Sequence, residues 1–98
     1  AAKENSLVKS VADGFVFFSE YSRETGYVIG IYHRNNLLSF YKHNNKLFKK
    51  AGSFVFAGEA IAMVGNSGMH STGPHLHFEL WLNGKPVNPL EFLNYTEK

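Results

Sequence analysis

Gly73-Pro74-His75-Leu76-His77-Phe78-Glu79, continuing through Leu80-Trp81-Leu82 to Asn83-Gly84, is the stretch from which the fold can be read. Alternate side chains of a β-strand share a face, so His75, His77 and Glu79 stand together while Leu76, Phe78, Leu80 and Leu82 face the other way. One face carries chemistry and the other supplies core. At a rise of about 3.3 Å per residue the two imidazoles are roughly 6 to 7 Å apart. That spacing suits one metal ion and the water beside it. A pair of half-exposed strand histidines would give the same pattern, and the flanking Gly-Pro and the unbroken apolar face favour the metal or catalytic reading.

The composition sets the frame. Ninety-eight residues make one domain, long enough to bury a core without disulfide staples. Hydrophobic residues account for 44%, with nine Phe, five Tyr and one Trp, which excludes a disordered tail and favours β structure. The net charge is only +2, and the nearest approach to a basic cluster is Lys42, Lys46, Lys49 and Lys50, ordinarily a solvated surface. A weak attraction to polyanions such as cell-wall polymers fits it, and so does no partner at all. No Arg-rich stripe with interleaved aromatics is present, so nucleic acid is not an expected partner. Cysteine is absent, which leaves His, Asp and Glu as metal ligands and removes thiol chemistry. No apolar run approaches the roughly 20 residues of a transmembrane helix, and no signal sequence is recognisable. The chain opens on Ala1-Ala2-Lys3 and reads as a piece of a longer precursor.

Short apolar runs alternate with turn residues along the whole sequence. Leu7 to Val11 leads through Asp13-Gly14 into Phe15 to Phe18, which predicts a two-residue hairpin. Tyr27 to His33 and Leu37 to Lys42 flank Asn35-Asn36, a second hairpin in which Ser39, Tyr41 and His43 share one face and Leu38 and Phe40 the other. Asn45 to Ala51 has the composition of a helical turn stopped by Gly52. Two brief strands hinge at Ala57-Gly58, and Ala60 to Val64 runs into a Gly, Ser and Thr rich loop before the histidine strand. Asn83-Gly84 predicts a type I′ hairpin, and Leu90 to Tyr95 a short helical cap. About eight short strands with little helix predict an all-β domain, a small antiparallel β-sandwich or barrel.

Several motifs follow one another in a recognisable order. They are Val8-Lys9-Ser10-Val11-Ala12-Asp13-Gly14-x-Val16, Gly26-Tyr27-Val28-Ile29-x-Ile31-x-His33, Tyr41-Lys42-His43 and Gly52-x-x-Val55-x-x-Gly58-Glu59-x-Ile61. Gly65-Asn66-Ser67-Gly68, Ser71-Thr72-Gly73-Pro74-His75-Leu76-His77-Phe78-Glu79 and Asn83-Gly84-x-Pro86-Val87-Asn88-Pro89 continue the series. In these features the chain resembles the lysostaphin/LytM-type zinc metallopeptidases, the peptidoglycan endopeptidase family, over nearly its whole length. The resemblance implies a barrel-sandwich-like fold, zinc as cofactor, cell-wall peptide cross-links as substrate, and an address in the bacterial envelope, periplasmic or extracellular. It implies that His77 is a metal ligand, and that His43 and His75 handle protons and stabilise the oxyanion beside the scissile carbonyl. Zinc polarises a carbonyl and lowers the pKa of water to about 7, and an imidazole accepts protons near neutrality.

The sequence departs from the family pattern at one place. No His-x-x-x-Asp, the source of the other two family ligands, occurs in it. Residues 1 to 98 are therefore expected to be the core of a single domain cut just after that motif, and a poor or inactive peptidase alone. A substitute site of His43, His75 and His77 is a subsidiary expectation. His33 is expected to be structural, His70 to face solvent, Asp13 to serve a turn, and Glu79 either to orient an imidazole or to be solvated. Trp81 and Tyr41 either line a groove or cover the sheet. Two rival functions remain: an inactive relative that binds the wall or activates an amidase, against which the retained histidines argue, and a biotinyl or lipoyl carrier. Neither Lys9 nor Lys85 has the setting a carrier lysine needs.

Overall fold

The computed structural model describes residues 5–65 and 77–90. Among these, eight strands form one sheet: β1 (Leu7–Lys9), β2 (Gly14–Ser22), β3 (Gly26–His33), β4 (Leu37–Leu47), β5 (Phe54–Val55), β6 (Ala60–Val64), β7 (His77–Leu82) and β8 (Lys85–Val87). Every pairing is antiparallel, in the order β1-β6-β4-β3-β2-β5, with β7 added to β4 and β8 to β7. The all-β antiparallel architecture expected from the sequence is observed, the barrel-like domain being a single curled sheet among the described residues.

β4 organises this sheet. One of its edges pairs with β3, while the other pairs with β7 over Leu37 to Lys42 and with β6 over Asn44 to Leu47. The handover falls at His43, whose φ of 62° is uncommon for a residue with a side chain. The register with β3 shifts at the same place, Tyr27 facing Asn44 and Ile29 facing Tyr41. Such an irregularity bends a strand and increases its twist, which lets one strand serve two partners.

The core lies on the inner face of the curl. Val8, Val16, Ile29, Ile31, Tyr41, Val55, Ile61, Ala62 and Val64 form it, with Leu47 and Phe78 packed against its margin. Leu80 is also buried, so the apolar face of the histidine strand is indeed a core face. The outer face carries a row set by register, Phe15 opposite Tyr32, Tyr32 opposite Leu38 and Leu38 opposite Trp81. A second row places Phe40 opposite Glu79 and a third Lys42 opposite His77.

The turns at Asn35-Asn36 and Asn83-Gly84 match their reading. Both residues of each pair have positive φ, as the hairpin twist requires, and asparagine and glycine tolerate it. Gly52 and Gly58 likewise have φ of 98° and 81° at their turns.

Two local expectations are corrected. β1 does not form a hairpin with β2; it pairs with β6, Val8 opposite Ala62, because both edges of β2 are taken by β3 and β5. The Asp13 carboxylate instead accepts a hydrogen bond from the Ala57 backbone N–H at 2.7 Å, tying the crossing segment to the β5–β6 turn. Asn45 to Leu47 is strand rather than a helical turn, since pairing with β6 and the packing of Leu47 outweigh a weak local preference. Of the C-terminal cap, residues 89–90 are helical, and the remainder of the expected Leu90 to Tyr95 helix lies outside the described residues.

Candidate functional site

The histidine strand and the long strand β4 meet where their side chains become polar. His77 opens β7 directly opposite Lys42, and by strict alternation it would share a face with Lys42 and Glu79 but not with His43. The left-handed backbone at His43 breaks that alternation. The rings of His43 and His77 lie 5.9 Å apart between centroids, edge to face at 72°. His43 is nearly buried, and its backbone N–H donates to the Thr25 carbonyl at 2.9 Å, which anchors the irregular residue.

Glu79 is the hub beside this pair. His77 Nε2 lies 2.8 Å from Oε2, the Lys42 ammonium donates to the same oxygen at 3.1 Å, and the Trp81 indole N–H donates to Oε1 at 3.1 Å. Burial acts to raise the pKa of this carboxyl, but the bonds from Trp81, His77 and Lys42 and the charge of Lys42 override it and hold it at about 2. These contacts favour the carboxylate form of Glu79. Among the described residues Nδ1 of His77 has no partner.

From the hub an apolar groove of about 600 Å³ runs along the outer face of the sheet, floored by Leu38, Phe40 and Val28 and walled by Phe18 and Trp81. Lys42 and Glu79 stand at its polar end. Trp81 and Phe40 meet edge on, with ring centroids 6.5 Å apart. Trp81 thus lines a groove, whereas Tyr41 is only 1% exposed and belongs to the core.

His33 is structural, as its strand-end position suggested. Its Nδ1 lies 2.8 Å from the Asp13 carbonyl and its Nε2 2.7 Å from the Ser39 hydroxyl, with 3% of the residue exposed. A carbonyl only accepts, so Nδ1 carries a proton and both ring nitrogens are occupied inside the fold. The expected face of Ser39, Tyr41 and His43 is accordingly an inward face, and its first two members are buried side chains rather than part of an open site.

His75, the other expected proton-handling residue, and His70 lie outside the described residues. Among the described residues no three metal-binding side chains gather into one cluster. Sequence reasoning missed Lys42, taken as a solvated lysine, and the donor role of Trp81. The alternation of Trp81 with Glu79 was a usable signal, but the pairing of Lys42 with Glu79 depends on the β4–β7 register.

Known proteins of similar sequence and fold place the chain in a family. The profile of peptidase family M23 matches residues 1–89. The DD-carboxypeptidase/endopeptidase Mpg of Neisseria meningitidis serogroup B is 40% identical over 90 residues, covering 92% of this chain and 20% of that protein. The murein hydrolase activator EnvC of Escherichia coli is 37% identical over 92 residues, covering 94% of this chain and 22% of that protein. This chain thus spans about a fifth of the length of these curated relatives, 20% and 22%. Among solved structures, the catalytic domain of the antimicrobial peptidase lysostaphin from Staphylococcus simulans superposes with a TM-score of 0.85 at 29% identity, over 95% of this chain and 74% of that one. The chain belongs to peptidase family M23, the lysostaphin/LytM type.

Proposed function

We propose that this chain is the core of a zinc metallopeptidase domain that hydrolyses peptide cross-links of peptidoglycan in the bacterial envelope, periplasmic or extracellular. The observation that carries this reading is the meeting of His43 and His77 beside the Glu79 hub, next to an apolar groove of about 600 Å³. The likeness to a DD-carboxypeptidase/endopeptidase and to a murein hydrolase activator supports the substrate class.

His77 suits a metal ligand. Its Nε2 is engaged by Glu79, which leaves a second ring nitrogen to offer an electron pair. The described residues supply no complete three-donor set, and the sequence lacks His-x-x-x-Asp, so these 98 residues by themselves hold zinc weakly on this reading. Bound zinc supplies Lewis acidity toward the scissile carbonyl and acidifies water. The protein's own groups do the rest. The groove positions the peptide, the imidazoles of His43 and His75 take a proton from the attacking water and return it to the leaving amine, and Lys42 and Trp81 hold Glu79 in place.

A second reading, a wall-binding or hydrolase-activating domain, is favoured by the likeness to a murein hydrolase activator. Zinc stoichiometry and release of muropeptides from purified peptidoglycan separate the two. Cleavage by the chain once a segment carrying His-x-x-x-Asp is joined to its N-terminus supports the peptidase. Stimulation of a murein hydrolase, with neither zinc uptake nor cleavage even when a His-x-x-x-Asp segment is supplied, supports the activator and ends the peptidase reading.

A further inference from the structure

We propose that the shallow pocket between the two hairpin tips, Asn35-Asn36 and Asn83-Gly84, binds a neutral glycan strand of N-acetylated hexosamines, with a sugar ring lying on Tyr32 and its acetamido group meeting the Asn36 and Asn83 amides. The sugar site stands on these residues alone; its service to a cleavage site rests on the metallopeptidase reading above.

Tyr32, Asn36, Leu38, Asn83 and Gly84 line this pocket of about 410 Å³. Register builds its floor, since Tyr32 and Leu38 are cross-strand partners on the outer face of the sheet. The Asn83 backbone N–H donates to the Asn36 carbonyl at 3.1 Å, which ties one turn to the other and fixes the rim. Tyr32 is 46% exposed, so an apolar body with a polar tip stays open to a ligand. The rim itself is a short relay. The Tyr32 hydroxyl donates to Asn36 Oδ1, and Asn36 Nδ2 donates to Asn83 Oδ1, both at 3.3 Å. Bonds of that length are weak and give way to better partners. The relay ends on Nδ2 of Asn83, whose two protons have no partner among the described residues.

The chemistry of the lining selects the ligand. None of these five residues is charged, so the pocket is not matched to a carboxylate, a phosphate or an ammonium group. A peptide strand finds no edge to pair with, because β3 lies between β2 and β4, and β7 between β4 and β8. A sugar ring brings an apolar C–H face for Tyr32 and an edge of hydroxyls, and an acetamido carbonyl is the strong acceptor that the open Asn83 donors lack. Leu38 and Gly84 also line the apolar groove, so pocket and groove adjoin along one face. From Leu82 back to His77 the strand runs about 17 Å, the reach of about five residues of extended peptide. Peptides branch from the glycan strands of peptidoglycan, so a strand held at the hairpin tips directs its peptide along the groove toward the histidines.

The test is nitrogen-15 NMR of the full 98-residue chain titrated with chitohexaose, a peptide-free oligomer of N-acetylglucosamine, with cellohexaose and tetraalanine as controls. The expected result is a saturable shift of the Asn36 and Asn83 side-chain amides and of Tyr32 by chitohexaose, and binding about fivefold weaker or less for cellohexaose, which lacks the acetamido group. Tyr32→Leu keeps apolar bulk on the sheet, and Asn83→Gly keeps the positive φ of the turn. Each is expected to weaken binding by about 5- to 10-fold, and one remains informative should the other misfold. No shift at these residues, equal binding of cellohexaose, a response to tetraalanine in place of the sugar, or undiminished binding in either folded variant overturns the proposal. If the chain joined to a His-x-x-x-Asp segment binds chitohexaose but cleaves no peptidoglycan, the peptidase reading falls and the sugar site stands. Cleavage without sugar binding keeps the peptidase reading and overturns the site.

Discussion

The imidazoles of His43 and His77 approach to 5.9 Å, although the register that pairs Lys42 with His77 would, on a regular ladder, send them to opposite faces of the sheet. The left-handed residue at position 43 reconciles the two, and it sits where β4 exchanges β7 for β6 as its neighbour. The same irregularity that curls the sheet therefore also assembles the histidine pair.

Different roles for the two rings follow. His77→Ala is expected to weaken zinc binding by about tenfold or more, whereas His43→Gln leaves it nearly unchanged. Calorimetric titration of both variants checks this. Equal losses would make His43 a ligand and favour the site of His43, His75 and His77.

His33 is expected to matter for stability alone. His33→Leu leaves the Asp13 carbonyl and the Ser39 hydroxyl without their partner in a buried place, at a cost of about 2 to 3 kcal/mol. Urea unfolding should show the lowered midpoint, and zinc affinity of the folded fraction should match wild type.

Tyr41 makes the fold sensitive to alkali. Burial raises its pKa above 10.0, and hydrogen bonds involving Ser39, Val11 and Ser10 offset only part of the rise. A raised folded-state pKa means that the contribution is complete below the unfolded value and lost as pH climbs through the folded one. Stability should therefore fall above about pH 10, the unperturbed tyrosine value, and the slope should be shallower in Tyr41→Phe. Urea midpoints between neutral and strongly alkaline pH measure both.

Gly14 tests the packing around β2. A Cβ there would lie 2.6 Å from Ile31 Cγ2, 2.7 Å from the Tyr32 carbonyl oxygen and 2.8 Å from His33 Nδ1. Two of these neighbours are buried side chains and the third is backbone, so none moves aside freely. Gly14→Ala should cost about 1 to 3 kcal/mol in urea unfolding.

Much of this protein is legible in local sequence. Alternation alone separated the core face of Phe78 and Leu80 from the face of His77, Glu79 and Trp81, because successive strand side chains must point to opposite sides. Asn35-Asn36 and Asn83-Gly84 announced their hairpins, since few other residues accept positive φ at both turn positions. What lay beyond reach was pairing across long sequence separations. The choice of β6 over β2 as the partner of β1, the strand conformation of Asn45 to Leu47, the switch of partners at His43 and the Lys42–Glu79 contact depend on which edges remain available once the core is packed. Period and turn chemistry are properties of neighbouring residues, whereas register belongs to the assembled sheet, and the site is built from register.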